Sequence, residues 1–338
     1  MKKITLFFIV CVIGLVCITG CLDRKKTDKR DLNLDTIQLK SKPEAIFTSI
    51  SSNKIVVLSD GKVDIYNHEG ECYTLEENMD VSMAYPAQET FWVINDKQEL
   101  YEISYDGSYI SEVVLTNIQY ITGYYDSYAA ITTGGELYVW GDNINCRLGI
   151  EGIDYLDDPT LVKDINGVKK VVLGDKYSLL LTQNGYVYEC GELCIENTEK
   201  NALETYQTEF VKIDRLSDVT DVFCGYGNIA VQEDGMIQYW VGGYYSVQTS
   251  PAVDVNTTEQ SLNENLLVCY AEGPECMCAL SDKGELFFWG TDSIYCKDMK
   301  AEGLFMYPRR ISELGIVDEI YPGGYIRKGL TIYIISEN

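Results

Sequence analysis

Apolar residues in this chain occur in short runs of four to six positions, separated by glycine and polar turn residues. The clearest example is the stretch from Tyr120 to Gly191, which shows one pattern twice: an apolar run, a short link, a second apolar run, a glycine turn and a third run. Helical periodicity is scarce after Ile37. Short apolar runs bounded by turn residues are typical of β-strands. We therefore predict an all-β fold.

The turn glycines of this pattern recur at a nearly fixed period. Successive glycines are 50, 50 and 49 residues apart, at Gly135, Gly185, Gly235 and Gly284. The position five residues later is also shared, and it is occupied by Trp140, Cys190, Trp240 and Trp289. A fixed period of this size is the signature of a repeat architecture.

Weaker copies of the pattern precede and follow the strong ones. Runs at 46–50, 54–58 and 62–66 are predicted strands with a tight turn at Asp60-Gly61, and a turn at Asp96-Lys97 joins 91–94 to 99–103. The last unit reads as a first strand, a glycine link and one long strand, with a turn near Lys328-Gly329. Seven strand-rich units predict a seven-bladed β-propeller over residues 35–338. A strand near 35–40 would close the ring by pairing with the last unit, which removes exposed sheet edges.

The N-terminus predicts export and lipid anchoring. Lys2 and Lys3 precede an apolar run that is shorter than the roughly 20 residues of a membrane span, so residues 1–20 are predicted to be a signal peptide. The tetrapeptide that ends at Cys21 resembles a bacterial lipobox, which predicts acylation of Cys21 with fatty acids such as palmitate. The alternative is an ordinary signal peptide followed by a coincidental cysteine. Residues 21–34 would form a polar tether to the extracytoplasmic face of the cell membrane, or a simple soluble spacer.

Charge and residue inventory narrow the function. With 27 Lys and Arg against 52 Asp and Glu, the chain carries a formal charge of −25 and would repel nucleic acid. Its single histidine, His68, follows a predicted strand without an identifiable catalytic partner, and no G-x-S-x-G motif occurs. Residues 225–230 imitate a dinucleotide fingerprint but run into a strand instead of the required helix. These features predict a non-catalytic protein without a cofactor.

Cysteines do not change that prediction. Of twelve, nine remain after processing and acylation, and only the spacing of Cys190 and Cys194 fits a zinc ligand pair. Most of the others lie in predicted strands, where cysteine acts as a small buried hydrophobe. No metal site is predicted, and the disulfide pairing stays open.

The links between first and second strands are the candidate site. Equivalent links lie at the same height in every unit, so we expect them to cluster around the axis on one face. Tyrosines with interspersed acids are typical of recognition surfaces, although with 26 tyrosines in the chain many must instead pack between units. The predicted partner-binding residues are Tyr124, Tyr125, Asp126, Asp175, Tyr177, Tyr226, Asn228, Glu272, Glu275 and Tyr325.

Residues 121–149 and 173–191 resemble repeats of the regulator of chromosome condensation family. Those repeats typically read Gly, two variable residues, His-Ser, an apolar strand, a turn glycine, Trp-Gly and a tail with Asn, Gly and Leu-Gly. Tyr128 and Ser178 stand near the His-Ser position, and the tail is matched by Asn143, Leu148 and Gly149. Cys190 in place of Trp and Val241 in place of Gly depart from the pattern.

This resemblance implies a seven-bladed propeller, in agreement with the repeat pattern. Eukaryotic members act as nucleotide-exchange factors on small GTPases, whereas a secreted bacterial member, the propeller-type β-lactamase inhibitor protein, binds its enzyme through one loop face. For an exported chain, the second precedent favours by analogy a monomeric protein-binding module with a cell-surface protein as partner. The alternatives are a carbohydrate-binding protein, because tyrosines stack on sugar rings, and a hydrolase with carboxylates in the propeller shaft.

Overall fold

A computed structural model of the 338-residue chain describes residues 34–75, 80–195, 203–224, 227–233, 237–241, 253–254, 266–272, 276–291, 304–311, 314–322 and 324–335. Within these ranges twenty-seven strands form seven antiparallel sheets, and no helix occurs. The prediction of an all-β fold is confirmed. None of the described segments is a helix long and apolar enough to cross a membrane.

We number the sheets in chain order. Sheet 1 contains β2 (Ala45–Phe47), β3 (Lys54–Ser59), β4 (Lys62–Asn67) and β5 (Cys72–Thr74). Sheet 2 contains β6 (Val81–Pro86), β7 (Thr90–Asn95) and β8 (Leu100–Ser104). Sheet 3 contains β9 (Ile118–Tyr124), β10 (Ser127–Thr132), β11 (Leu137–Asp142) and β12 (Tyr155–Leu161). Sheet 4 contains β13 (Val168–Leu173), β14 (Tyr177–Thr182), β15 (Val187–Ile195) and β16 (Leu203–Lys212).

The remaining strands form three further sheets. Sheet 5 contains β17 (Val219–Cys224), β18 (Gly227–Gln232), β19 (Ile237–Val241) and β20 (Val253–Asp254). Sheet 6 contains β21 (Leu266–Glu272), β22 (Cys276–Ser281), β23 (Leu286–Thr291) and β24 (Leu304–Ile311). Sheet 7 contains β25 (Glu319–Tyr321), β26 (Tyr325–Lys328), β27 (Thr331–Ile335) and the N-terminal β1 (Leu34–Gln38).

The two ends of the described chain meet in sheet 7. Strand β1 pairs with β27 in antiparallel register, from Leu34 opposite Ile335 to Gln38 opposite Thr331. This pairing confirms the predicted contact between the strand near 35–40 and the last unit. Buried side chains of sheets 7 and 1, among them Ile37 and Ile55, then share one core cluster.

The turn between second and third strands docks several of the described sheets onto the sheet that follows. The carbonyl of Gly135 accepts a hydrogen bond from Val168 N at 2.9 Å, and Val168 begins the first strand of sheet 4. The carbonyls of Gly185 and Gly284 accept equivalent bonds from the sheets that follow. Gly135 has a φ of +80°, and a Cβ there would stand 2.8 Å from the Cα of Gly167. Both the backbone and the space therefore require glycine.

The structure corrects two details of the strand prediction. In sheet 2 the turn position belongs to Gln98, with a φ of +63° and a carbonyl that accepts from Ile118 N at 2.9 Å. The predicted strand at 46–50 ends at Phe47. In the last unit the predicted turn near Lys328-Gly329 is confirmed, and it divides the predicted long strand into β26 and β27.

The outer strands were missed by the sequence pattern. Strands β12 and β24 each contain a proline, Pro159 and Pro308 respectively. Proline has no backbone N–H to donate to a neighbouring strand, so within sheets it is confined to edge strands. An edge strand with one neighbour also lacks the apolar run of a central strand, so its sequence resembles a loop.

Each sheet has two ends with different loops. The link between first and second strands lies at one end, which we call the link face, and the glycine turn lies at the other, which we call the turn face. In sheet 3, Ser127 pairs with both Tyr124 and Gly141. The segment that follows β11 therefore also leaves from the link face.

Candidate functional site

Links of neighbouring sheets contact one another on the link face. In the link of sheet 1, Thr48 Oγ1 donates to the carbonyl of Pro322 in sheet 7 at 2.6 Å, and Ser49 Oγ donates to the carbonyl of Pro86 in sheet 2. Ser51 Oγ accepts a hydrogen bond from Tyr125 N in sheet 3 at 2.6 Å. The predicted clustering of links is therefore confirmed for sheets 7, 1, 2 and 3.

Tyr125 is the most exposed aromatic residue among the predicted site residues that the structure describes. Its side chain is 46% exposed, and its φ of +48° lies in the left-handed region that non-glycine residues rarely adopt. The Tyr124 ring meets the Tyr125 ring edge to face, with centroids 4.9 Å apart. The bond from Tyr125 N to Ser51 and this ring contact hold Tyr125 in an orientation that presents it to solvent.

Arg147 connects the link of sheet 3 with that of sheet 4. Its guanidinium lies 5.9 Å from the centroid of the Tyr124 ring, forms an ion pair with Asp142 through Nη2, and donates from Nη1 to the carbonyl of Asp175 at 2.6 Å. Arg147 is only 7% exposed. A buried guanidinium with several fixed acceptors acts as a rigid cross-brace.

The electrostatic environment at this point is acidic at the surface and apolar beneath it. Asp126 and Asp175 are exposed beside the tyrosines. Burial raises the pKa of Tyr124 to about 12, with further increases from the charge of Asp175 and from Tyr125, while Arg147 opposes them. Tyr124 is therefore a neutral hydrogen-bonding group at physiological pH.

Three predicted site residues are in the interior, so they cannot contact a partner directly. Tyr177 begins β14 and is 7% exposed, Asn228 in β18 is fully buried, and Tyr325 in β26 is 1% exposed. Tyr325 instead lies 2.5 Å from His68 Nε2 through its hydroxyl. These residues were predicted to lie in links, but the second strand of each sheet begins one or two positions earlier than predicted. The residues therefore belong to strands, and their side chains are buried.

The other predicted residues lie outside the described part of the chain. Tyr226, Glu275 and Cys21 belong to ranges that the structure does not describe, and for Glu272 only the backbone is described, at the end of β21. The described part of the predicted surface is thus Tyr124, Tyr125, Asp126 and Asp175.

Sequence reasoning missed Ser51 and Arg147. Ser51 lies in a serine-rich link without a glycine or aromatic signal, and its role depends on a residue 74 positions away. Arg147 stands between Asn143 and Leu148 in the family-like tail, where an isolated cation among many acids was not distinctive. Arginine is seldom buried, and Arg147 directly precedes Leu148 and Gly149. This position next to apolar and glycine residues was the available signal that the side chain is buried.

Catalytic and metal chemistry find little support among the described residues. No group of three or more His, Cys, Asp or Glu side chains in this part of the chain could hold a metal ion. Hydrogen bonds lower the pKa of Glu99 and bring that of Asp106 to about 2, which is opposite to the raised value of a general acid. Asp221, on the first strand of sheet 5, forms an ion pair with Lys170, on the first strand of sheet 4, at 2.6 Å. This carboxylate is therefore engaged in a contact between sheets.

Comparison with known sequences identifies one repeat. Residues 134–181 match the model of the regulator of chromosome condensation (RCC1) repeat. An RCC1 domain-containing protein of Dictyostelium discoideum is 32% identical over 111 residues, which cover 30% of this chain and 16% of that protein. The mitochondrial RCC1 domain-containing protein RUG3 of Arabidopsis thaliana is 30% identical over 176 residues, covering 48% and 39%. The secretion-regulating guanine nucleotide exchange factor of Bos taurus is 25% identical over 193 residues, covering 52% and 41%. The matches span less than half the length of each relative.

Solved structures support the fold over most of the chain. Human WBSCR16 superposes with a TM-score of 0.67 at 14% identity and covers 89% of both chains. Prp20p of Saccharomyces cerevisiae gives 0.55 at 15% identity over 69% of this chain and 67% of its own. YCF48, solved with a D1 peptide, gives 0.54 at 10% identity over 90% and 96%. At these identities the likeness shows the fold alone. The chain therefore carries an RCC1 repeat and has the all-β, propeller-like fold of RCC1-like proteins.

Proposed function

We propose that this protein is a non-catalytic protein-binding module that recognises its partner through the link face. The observation that carries the proposal is Tyr125, which is nearly half exposed while its backbone is fixed by Ser51. A rigid exposed tyrosine provides contact area and a polar tip at low entropic cost, as in other recognition surfaces. Asp126 and Asp175 give the surrounding surface a negative charge.

Structures with the same fold support this proposal by analogy. The YCF48 structure contains a bound D1 peptide, and the Prp20p structure was described together with its binding to Gsp1p and histones. Proteins with this fold thus include binders of a peptide and of proteins. One relative is named a guanine nucleotide exchange factor, but exchange activity would require a GTPase in the same compartment.

The complete architecture that we propose is a closed seven-bladed propeller. The seven sheets and the pairing of β1 with β27 support it. Bonds of the Gly135–Val168 type join sheets 2 to 3, 3 to 4, 4 to 5 and 6 to 7, and sheets 7 and 1 share a core. A closed ring keeps the links at fixed positions, so it would act as the rigid scaffold for the binding surface.

For localisation, we propose anchoring at the extracytoplasmic face of the cell membrane through acylated Cys21. The basic start, the apolar run and the tetrapeptide ending at Cys21 support it. Cys21→Ala should release the protein into the medium, whereas Cys72→Ala serves as the control. Retention of Cys21→Ala in the membrane fraction would contradict the anchor without affecting the binding proposal.

Binding is tested with a pair of matched variants. Tyr125→Ala removes the exposed ring on the link face, and Tyr186→Ala removes a ring of similar exposure, 41%, on the turn face. We expect the first variant to lose capture of surface proteins from whole cells by at least tenfold while its melting temperature stays within a few degrees. Tyr186→Ala should capture normally. Equal capture by both variants would reject the link face.

A carbohydrate ligand is the second candidate, since an exposed tyrosine beside Asp126 also suits stacking against a sugar ring. A glycan array separates the two candidates. Binding of a glycan that is lost in Tyr125→Ala would favour the carbohydrate, and protein capture without glycan binding would favour the module proposed here.

A further inference from the structure

The loop after β11 extends the link face next to Tyr125 and exposes three large apolar side chains. Ile144 is 67% exposed, Ile153 46% and Tyr155 56%. The loop lies beside the Tyr125 link because Asp142 N donates to the carbonyl of Asp126 at 3.0 Å. Single exposed apolar residues are ordinary, but three within twelve positions, beside a fourth on the adjoining link, form a patch that water solvates poorly.

This loop is held in one shape from inside. The fully enclosed side chain of Asn143 donates to the carbonyls of Ile150 at 2.8 Å and Ile153 at 2.7 Å, and accepts from Leu148 N at 2.9 Å. Leu148 is buried in the core shared by sheets 3 and 4. The exposed apolar side chains therefore sit on a pre-organised base, which lowers the entropic cost of binding.

Acidic side chains surround the apolar patch. The exposed carboxylates on these segments, none of which has an ion-pair partner among the described residues, are Asp126, Glu151, Asp154, Asp157, Asp158 and Asp175. The two cations nearby are already paired, Arg147 with Asp142 and Lys176 with Glu192. Burial raises the pKa of the Cys146 thiol, and the negative charges of Asp154 and Glu151 raise it further, which places both carboxylates close to this loop.

We propose that this loop surface, formed by Tyr125, Ile144, Ile153 and Tyr155 with their acidic rim, binds a protein segment that carries apolar side chains flanked by Lys and Arg. The inference rests on the proposed function and specifies its partner. Charge complementarity selects the occupant, because apolar anchors fill the patch while cations meet the unpaired carboxylates. A second copy of this chain, also at −25, would bring acid against acid.

The test uses three synthetic eight-residue peptides and the chain without residues 1–20. The first has a Leu-Phe centre flanked on each side by three Lys or Arg, the second replaces the cations with Glu, and the third replaces the centre with Gly-Ser. We expect the first to bind at least tenfold more tightly than either control by calorimetry. Raising the salt concentration severalfold should weaken that binding, because the rim charges are exposed and screened.

Two variants locate the binding. Ile144→Ser with Tyr155→Ser should weaken the first peptide by about tenfold, the effect of losing a central apolar contact. The matched control, Tyr186→Ser with Ile316→Ser, removes side chains of 41% and 55% exposure from the turn face and should bind normally. Glu151→Gln with Asp154→Asn tests the rim separately and should reduce the salt dependence.

The outcomes separate this inference from the proposed function. No binding of the first peptide at millimolar concentration, equal binding of the Glu peptide, or normal binding by the Ile144→Ser and Tyr155→Ser variant would overturn the cationic segment. If capture of the cellular partner still depended on Tyr125, the proposed function would stand with a partner of other chemistry. If capture did not depend on Tyr125, the proposed function itself would fail.

Discussion

Ser51 and Tyr125 are 74 residues apart in the chain, yet Ser51 Oγ accepts a hydrogen bond from the backbone N–H of Tyr125 at 2.6 Å. The same hydroxyl lies 3.1 Å from the Tyr85 hydroxyl of sheet 2. One buried serine of sheet 1 thus contacts sheets 2 and 3. This contact couples the packing of the sheets to the orientation of the exposed tyrosine.

Replacing that serine should lower stability and loosen the link. Ser51→Ala leaves the Tyr125 N–H without its acceptor in a partly buried site, which costs about 1 to 2 kcal/mol of unfolding free energy. Urea denaturation measures the loss. Ser217→Ala, at an exposed position, is the control and should change the free energy by less than about 0.5 kcal/mol. Equal effects would mean that the bond to Tyr125 contributes nothing.

The turn glycines should separate backbone strain from packing. Gly61 and Gly135 both have positive φ, but a Cβ at Gly61 meets nothing within 4 Å, whereas one at Gly135 would stand 2.8 Å from Gly167 Cα. Gly61→Ala should cost about 1 to 2 kcal/mol of stability from the left-handed backbone alone. Gly135→Ala should cost about 1 to 3 kcal/mol more, because the adjoining sheet must move. Equal losses in thermal unfolding would contradict the docking role of the turn.

The fold was largely predictable because its signals are local and repeated. The period of Gly135, Gly185 and Gly284 reports a turn that must have positive φ and must fit against the next sheet. Gln98 shows the limit of that signal, since it takes the same left-handed position without being glycine. Edge strands such as β12 escaped detection because an edge position tolerates polar residues and proline.

The candidate site was only partly predictable. The exposure of Tyr125 and the burial of Tyr177 follow from where β10 and β14 begin, a difference of one or two positions that hydrophobic pattern cannot fix. Tyr125 is held by Ser51 and by the Tyr124 ring, which Arg147 contacts; these residues meet in space and show no fixed spacing in the sequence. Repeat position identifies which links meet, but not which side chains face solvent.

The brace at Arg147 should be specific for arginine. Arg147→Lys keeps the charge but cannot reach both Asp142 and the carbonyl of Asp175, so we expect a loss of about 1 to 3 kcal/mol of unfolding free energy. Arg327→Lys is the matched control, since Arg327 pairs with Asp318 and Glu319, which are about half exposed. That change should cost less than about 1 kcal/mol. Denaturant unfolding of both variants checks the difference, and equal losses would remove the special role of Arg147.

Buried tyrosines should make the fold sensitive to alkaline pH. Burial raises the pKa of Tyr66, Tyr85, Tyr120 and Tyr124 to about 12, above the ordinary value of 10.0. Below pH 10 these groups are neutral in both folded and unfolded chains. Between pH 10 and 12 only the unfolded chain ionises them, so stability should fall by up to about 1.4 kcal/mol per pH unit for each tyrosine. Tyrosinate absorbance of the folded chain should lag behind that of the urea-unfolded chain; coincident titration curves would contradict the burial.

The single histidine offers a test of the contact between sheets 1 and 7. Burial lowers the pKa of His68, which the nearby charges of Glu69 and Asp35 oppose and that of Lys54 supports. Because the folded value lies below the ordinary 6.5, the stability from neutral His68 is complete above that pH and is lost as pH falls through the folded value. Its Nε2 lies 2.5 Å from the Tyr325 hydroxyl. A neutral His68 accepts a hydrogen bond from that hydroxyl through Nε2.

We therefore expect the free energy of unfolding to decrease when the pH falls from 7 to 5.5, a window in which most carboxylates remain ionised. The slope should stay well below about 1.4 kcal/mol per pH unit, the limit for one proton, because the His68 side chain is partly open to solvent. His68→Gln should flatten this slope, since glutamine does not titrate, and should lower stability at pH 7 by weakening the contact with Tyr325. Because no second histidine exists in the chain, a slope that persists in His68→Gln would assign the pH dependence to carboxylates and contradict a neutral imidazole at His68.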